Sequence, residues 1–406
     1  MLSYFASTVR AALVVGLSIA GVNASAQNAY NQINLVANSA SYNPQIVDPT
    51  LINAWGIAIR PAGLGGHFWV GSNGGGVSTQ WVGDVGGVPL FQDDLGNVSV
   101  PGPGGTAGTV TGVAFNGGSS FAVNQGSVFA PAKFIFGTDN GVISAWTERQ
   151  TSPGVFVRPT FATTVIDRSG DGTQFFGIGV DDAGGRLYAA NFGVNPGMQM
   201  YDGNWNDISS TFADTPLGKN PFVADGYQPF NVQVLGSSLF VAYAKYGTPG
   251  EEETGDALGR LAEYNLDGSL RQVWGDGSGL NAPWGVAVAP GNFGKFSWHL
   301  LVSNFGDGTI SAYDPNTRDF VDFLRDPQGN PISIEGIWGL QFGNGASLGE
   351  SNRLYFAAGP EDETAGLFGS LSVSAVPEPP IVLLMLLGMG AIRLVKRRKN
   401  SGAEAA

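Results

Sequence analysis

One short phrase occurs six times along this chain, and its repetition restricts the fold more than any other property. A bulky or polar residue is followed, usually, by Gly and then by alternating apolar residues. It reads Trp55-Gly56-Ile57-Ala58-Ile59, Thr111-Gly112-Val113-Ala114-Phe115 and Phe176-Gly177-Ile178-Gly179-Val180, then Phe230-Asn231-Val232-Gln233-Val234, Trp284-Gly285-Val286-Ala287-Val288 and Trp338-Gly339-Leu340-Gln341-Phe342. The intervals are about 56, 65, 54, 54 and 54 residues. A fixed period of this length marks a repeat architecture.

Each phrase leads through a Gly-rich turn into a second apolar strand, such as Phe68-Trp69-Val70 or Leu300-Leu301-Val302. A third strand ends in an aromatic residue in five of the units, at Trp81, Trp146, Tyr201, Tyr264 and Tyr313, and the sixth has Leu367 to Val373. Period-two alternation between short polar turns is the strand signal. Four-stranded units repeated radially predict an all-β fold, a six-bladed β-propeller. The sixth unit has only three strands before the chain turns Pro-rich. The unassigned strand Gln32 to Val36 is therefore expected to close the ring beside Ser370–Ser374.

The phrase Pro283-Trp284-Gly285-Val286-Ala287-Val288, with Leu301-Val302-Ser303-Asn304 and Ile310-Ser311-Ala312-Tyr313 after it, resembles the NHL-type repeat. The likeness spans all six units but is degenerate: Asn231 stands where Gly is expected, and several units lack the Pro.

The two ends read as address signals. Arg10 precedes an apolar stretch, Ala11 to Val22, and Ala24-Ser25-Ala26 is a small-x-small cleavage site. Residues 1–26 are thus expected to be a signal peptide for Sec export. At the other end, Val376-Pro377-Glu378-Pro379 precedes an apolar run from Ile381 to Ile392 and the basic cluster Lys396-Arg397-Arg398-Lys399. Twelve helical residues span only about 18 Å, short of a bilayer core of roughly 30 Å. A short hydrophobic helix followed by a basic stop suits transient anchoring in the inner membrane. The alternative is an ordinary, permanent C-terminal anchor.

This tail, residues 376–406, resembles the PEP-CTERM sorting signal of Gram-negative bacteria. That resemblance implies processing by an exosortase-type membrane enzyme and delivery to the cell surface, envelope or matrix. Signal peptide, Trp-Gly propeller repeats over 27–375 and sorting tail together are similar to a family of exported bacterial proteins, and no reaction comes with the resemblance.

Composition narrows the function. The absence of Cys excludes thiol catalysis and Cys-based metal sites, and a net charge of −13 argues against nucleic acid as a partner. His67 and His299 are the two histidines and sit in different units. No Gly-x-Ser-x-Gly elbow occurs. Trp55, Trp284 and Trp338, with Phe176 and Phe230, begin the innermost strands. They could ring one opening and stack on a sugar or another flat ligand, or wedge between blades as packing.

A second recurring set follows the second strands. Asn73, Asp139, Asn191 and Asn304 could offer oxygens to calcium, although Asn or Asp before Gly ordinarily makes turns. Glu251-Glu252-Glu253 lies in the loop Lys245–Gly259, the best candidate for a functional insertion. The sequence therefore points to an exported binding module with an extracellular polysaccharide or envelope component as partner and no required cofactor. The alternative is a calcium-dependent hydrolase or lactonase of the six-bladed kind.

Overall fold

The structure is a computed structural model that describes residues 28–183 and 185–374. The expected signal peptide and the sorting tail with its hydrophobic helix lie outside the described residues. From the axis outwards, blade one comprises Ala54–Ala58, Phe68–Ser72, Val77–Trp81 and Asn97–Ser99. Blade two comprises Val110–Phe115, Phe134–Thr138, Val142–Trp146 and Thr163–Asp167. Blade three has three strands, Phe175–Asp181, Arg186–Asn191 and Gly197–Asp202, with a lone Tyr201–Asp207 bridge beyond them. Blade four is Tyr227–Leu235, Ser238–Thr248, Gly259–Asn265 and Leu270–Trp274, and blade five is Pro283–Val288, Leu300–Asn304, Ile310–Tyr313 and Phe320–Phe323. Blade six runs Ile337–Phe342, Leu354–Ala358 and Leu367–Val373.

Outside Leu367–Val373 lies Tyr30–Ala37, antiparallel to it, with Tyr30 opposite Val373 and Ala37 opposite Leu367. The chain therefore enters and leaves the fold at neighbouring positions, and the Ser374 amide donates to the Ala29 carbonyl at 2.8 Å. All inner strands start at one face of the ring, here the upper face. The connections from second to third strand share that face. Those from first to second and from third to fourth lie on the lower face, where Tyr30 and Val373 also sit.

Blade two explains the one long interval. Its lower connections carry two hairpins that the repeat pattern did not predict, Ala122–Gln125 with Val128–Pro131 and Arg149–Ser152 with Val155–Val157.

Glycine sets how closely the inner strands approach. A Cβ on Gly56 would lie 2.6 Å from the Thr111 carbonyl oxygen, and one on Gly339 would lie 2.5 Å from that of Trp55. Gly112, Gly177 and Gly285 press on the next inner strand in the same way. Blade four departs from the rule, because the Asn231 amide side chain bridges the seam and its Nδ2 donates to the Trp284 carbonyl at 2.7 Å. Between blades, packing falls to aromatics of the second and third strands. Trp69 stacks on Phe134 at 4.2 Å, and Phe68 meets Tyr355 at 4.7 Å. All four are fully buried or nearly so.

Candidate binding site at the upper mouth

The phrase-initial aromatics neither wedge between blades nor ring an open channel. Trp55, Phe176, Phe230, Trp284 and Trp338 converge on the axis and pack on one another. Trp55 lies 4.0 Å from Trp338 and 5.2 Å from Phe176, centroid to centroid. Blade two contributes the small Thr111 at the sixth position, hydrogen-bonded to the Phe175 carbonyl. The aromatics therefore form a plug. Beneath it remains a cavity of about 20 Å³ lined by Gly56, Gly112, Asn231 and Gly339, room for roughly one water. A ligand cannot pass through the ring.

Above the plug is a pocket of about 500 Å³, within the usual size range of small-molecule sites. Trp55, Phe176, Trp338 and Phe305 make its aromatic floor. Phe305 stacks on Trp338 at 4.1 Å and follows the second strand of blade five. The walls carry five carboxylates, Asp139, Glu251, Glu252, Asp362 and Glu363, and no basic side chain among the described residues lines the pocket. None of the five takes part in an ion pair among the described residues.

Each carboxylate comes from a connection on the upper face. Asp139 follows the second strand of blade two and accepts from Asn73 Nδ2 at 2.8 Å and from Thr109. Glu251 and Glu252 belong to the blade-four insertion, where Glu251–Glu253 pairs back onto Ser238–Thr248. Asp362 and Glu363 sit in blade six on an unusual turn, with Glu361, Asp362 and Glu363 at φ of 59°, 51° and 66°. Three successive left-handed residues other than Gly cost about 1–2 kcal/mol each. The turn is held by Glu363 N–H donating to the Gly359 carbonyl at 3.1 Å and Glu361 N–H to Glu335 Oε1 at 3.0 Å. Asn53 joins floor to wall, accepting from Trp338 Nε1 at 3.1 Å and donating to Glu363 Oε2 at 2.9 Å.

The electrostatics follow from this crowding. Burial, reinforced by the charges of Glu363 and Glu251, pushes the Glu252 carboxyl up to about 7. Burial pushes Glu363 up to about 7 as well, with Asp139, Glu251 and Asp362 adding to it. Asp139 is raised by burial despite the hydrogen bonds from Thr109 and Asn73. The pocket resists its own full ionisation, so a positive charge lodged there would be favoured.

Of the aromatics considered as ligand contacts, Trp55 and Trp338 line this pocket, whereas Trp284 borders the small cavity beneath. The four calcium candidates are not brought together as a set. Asn191 Oδ1 accepts from the Gln174 and Gly193 amides, and Asn304 Oδ1 accepts from the Asn281 amide. Both asparagines thus shape turns, while Asn73 is paired with Asp139. No group of three or more His, Asp or Glu able to hold a metal ion occurs among the described residues. His67 pairs with Asp93 at 2.7 Å near the lower face, far from the mouth.

Sequence reasoning reached the insertion holding Glu251 and Glu252 but missed Asp362, Glu363 and Phe305. The available signal was that Ala358-Gly359-Pro360 in blade six, like Tyr243-Ala244-Lys245 in blade four, departs from the Asn and Gly pattern of the other four units.

No protein-family model matches the chain. It is 29% identical over 344 residues to a protein of Acanthamoeba polyphaga mimivirus, uncharacterized protein R648, covering 84% of this chain and 80% of that one. It is 28% identical over 346 residues to uncharacterized protein L690 of the same virus, covering 84% and 85%. A chain in a solved nidogen/laminin complex aligns with a TM-score of 0.38 and 12% identity, covering 71% of this chain and 84% of that one. That likeness is too loose to support an argument.

Proposed function

We propose that this protein is an exported, surface- or matrix-directed propeller that works as a binding module through its upper mouth. The observation that carries this reading is five carboxylates, without a cationic partner among the described residues, above an aromatic floor. Such a surface suits a ligand that presents a positive charge beside an apolar ring face, because carboxylates and aromatic faces both attract cations. Among matrix polymers, an amino sugar with a free amine has both features. Calorimetry with glucosamine oligomers and their N-acetylated counterparts tests this. Binding is expected for the free amine and lost on acetylation; equal affinity for both would refute the assignment.

The same reading takes Tyr30–Ala37 as the strand that closes the ring, leaving the Pro377-Glu378-Pro379 tail outside it. An exosortase-type enzyme could then remove the tail without disturbing the propeller. The intact mass of the protein recovered from cells tests that step: a full-length C-terminus would contradict it.

A second reading, hydrolase or lactonase activity, draws support from Glu252 and Glu363, which near pH 7 exist in both protonation states, as acid–base groups require. Turnover of lactone or ester substrates by the wild type but not by Glu252→Gln would favour it. Calcium titration would show whether a metal is needed.

A further inference from the structure

Five aromatic side chains among the described residues are exposed, Phe91, Phe129, Phe156, Phe161 and Trp298, and of these Phe129 and Trp298 are the most so. Phe91, Phe129, Phe156 and Trp298 lie in connections from first to second or from third to fourth strands, hence on the lower face, whereas Phe161 bridges Ser99 at the outer edge of blade one. They occupy blades one, two and five. Blade six, between blades five and one, is where the chain enters and leaves.

The exit is built into this arc. Tyr30 stacks on Phe293 at 4.7 Å, and its hydroxyl donates to the Phe293 carbonyl at 3.1 Å. The same blade-five connection presents Trp298, which is 66% exposed. On blade two, Phe129 is 75% exposed at its hairpin tip. Arg158 lies 5.0 Å from the Phe156 ring centroid on the neighbouring hairpin. The carboxylates of the mouth lie on the opposite face.

The chain beyond Ser374 makes this distribution meaningful. Six residues, Ala375 to Pro380, separate the last described strand from the apolar run that begins at Ile381. Fully extended, six residues reach about 20 Å. If the apolar run enters a bilayer, the lower face cannot stand farther from it than that. Exposed aromatic side chains favour the headgroup region, whereas Arg158 is engaged by Glu148 at 2.9 Å.

We infer that the lower face, around Phe129, Phe156 and Trp298, rests on the lipid surface into which the tail inserts, so that the acidic mouth faces away from the membrane. This rests on the reading of the tail as a membrane segment, and the test separates the two.

Trp298 is the only strongly exposed Trp among the described residues and serves as the reporter. The full chain is mixed with phosphatidylethanolamine–phosphatidylglycerol vesicles containing brominated lipid, and flotation and Trp emission are read together. The expected result is flotation with a loss of emission in the wild type that Trp298→Phe largely removes. Phe129→Trp in the Trp298→Phe background should restore quenching.

Flotation with equal quenching of wild type and Trp298→Phe would overturn the docking face and leave the tail reading intact. Failure to float would overturn both. A dimer in sedimentation that Phe129→Ser/Trp298→Ser dissolves would assign the face to a second copy, also overturning the proposal.

Discussion

Glu252 and Glu363 keep protons in the folded protein up to about pH 7, where an ordinary glutamate has an intrinsic value of 4.5. Between those values the unfolded chain has already lost the protons that the native state retains. Stability therefore falls as pH rises from about 4.5 to 7 and levels off above. Glu252→Gln and Glu363→Gln should change little at pH 5, raise the melting temperature at pH 8 and flatten the profile between. Thermal unfolding followed by circular dichroism across that range checks this; a gain as large at pH 5 as at pH 8 would contradict it. Because a bound cation favours the ionised carboxylates, ligand affinity should strengthen over the same interval. Glu148 shows the opposite arrangement. It is buried, but Arg60 at 2.6 Å and Arg158 at 2.9 Å outweigh burial and hold its carboxyl below the usual range. Glu148→Ala leaves Arg60 without its partner at the seam of blades one and two, with an expected loss of about 3–5 kcal/mol in denaturant unfolding.

At the scale of the strand, the inner phrase carries two messages of unequal clarity. Its alternation and its Gly were legible because every blade repeats them, and the structure turns that Gly into the contact distance between neighbouring inner strands. Gly339→Ala places a methyl against the Trp55 carbonyl oxygen and should cost about 1–3 kcal/mol, as overpacked positions do. Asn231→Ala removes the donor to the Trp284 carbonyl and should cost about 1–3 kcal/mol, the penalty for a buried acceptor left unpaired. If urea unfolding finds either variant as stable as wild type, the close-contact account of that seam is wrong. The aromatic at the phrase start was legible as a residue but not as a plug, because convergence on an axis depends on all six strands at once. The mouth was less legible still. Asp139, Glu252 and Glu363 come from three blades and lie more than a hundred residues apart in sequence, so no spacing rule joins them; only the radial arrangement brings them to one pocket.

For the whole molecule, the question is what holds a ring of six blades shut. Tyr30–Ala37 buries Tyr30, Leu35, Val36 and Ala37 almost completely, and its register against Leu367–Val373 runs the length of the strand. If that pairing is what closes the ring, as proposed above, blade six gains its outermost strand only when Tyr30–Ala37 meets Leu367–Val373, a contact of very high sequence separation. Removing residues up to Ala37 would uncover the edge of Leu367–Val373 and the apolar surface beside it. An uncovered edge strand invites intermolecular pairing. A chain starting at Asn38 should therefore aggregate or lose its cooperative melt, whereas a chain ending at Ser374 should melt as the full chain does. Comparing the two truncations by differential scanning calorimetry and light scattering tests the whole arrangement. A soluble, cooperatively melting chain without Tyr30–Ala37 would mean that the inner strands and their aromatic plug close the ring unaided.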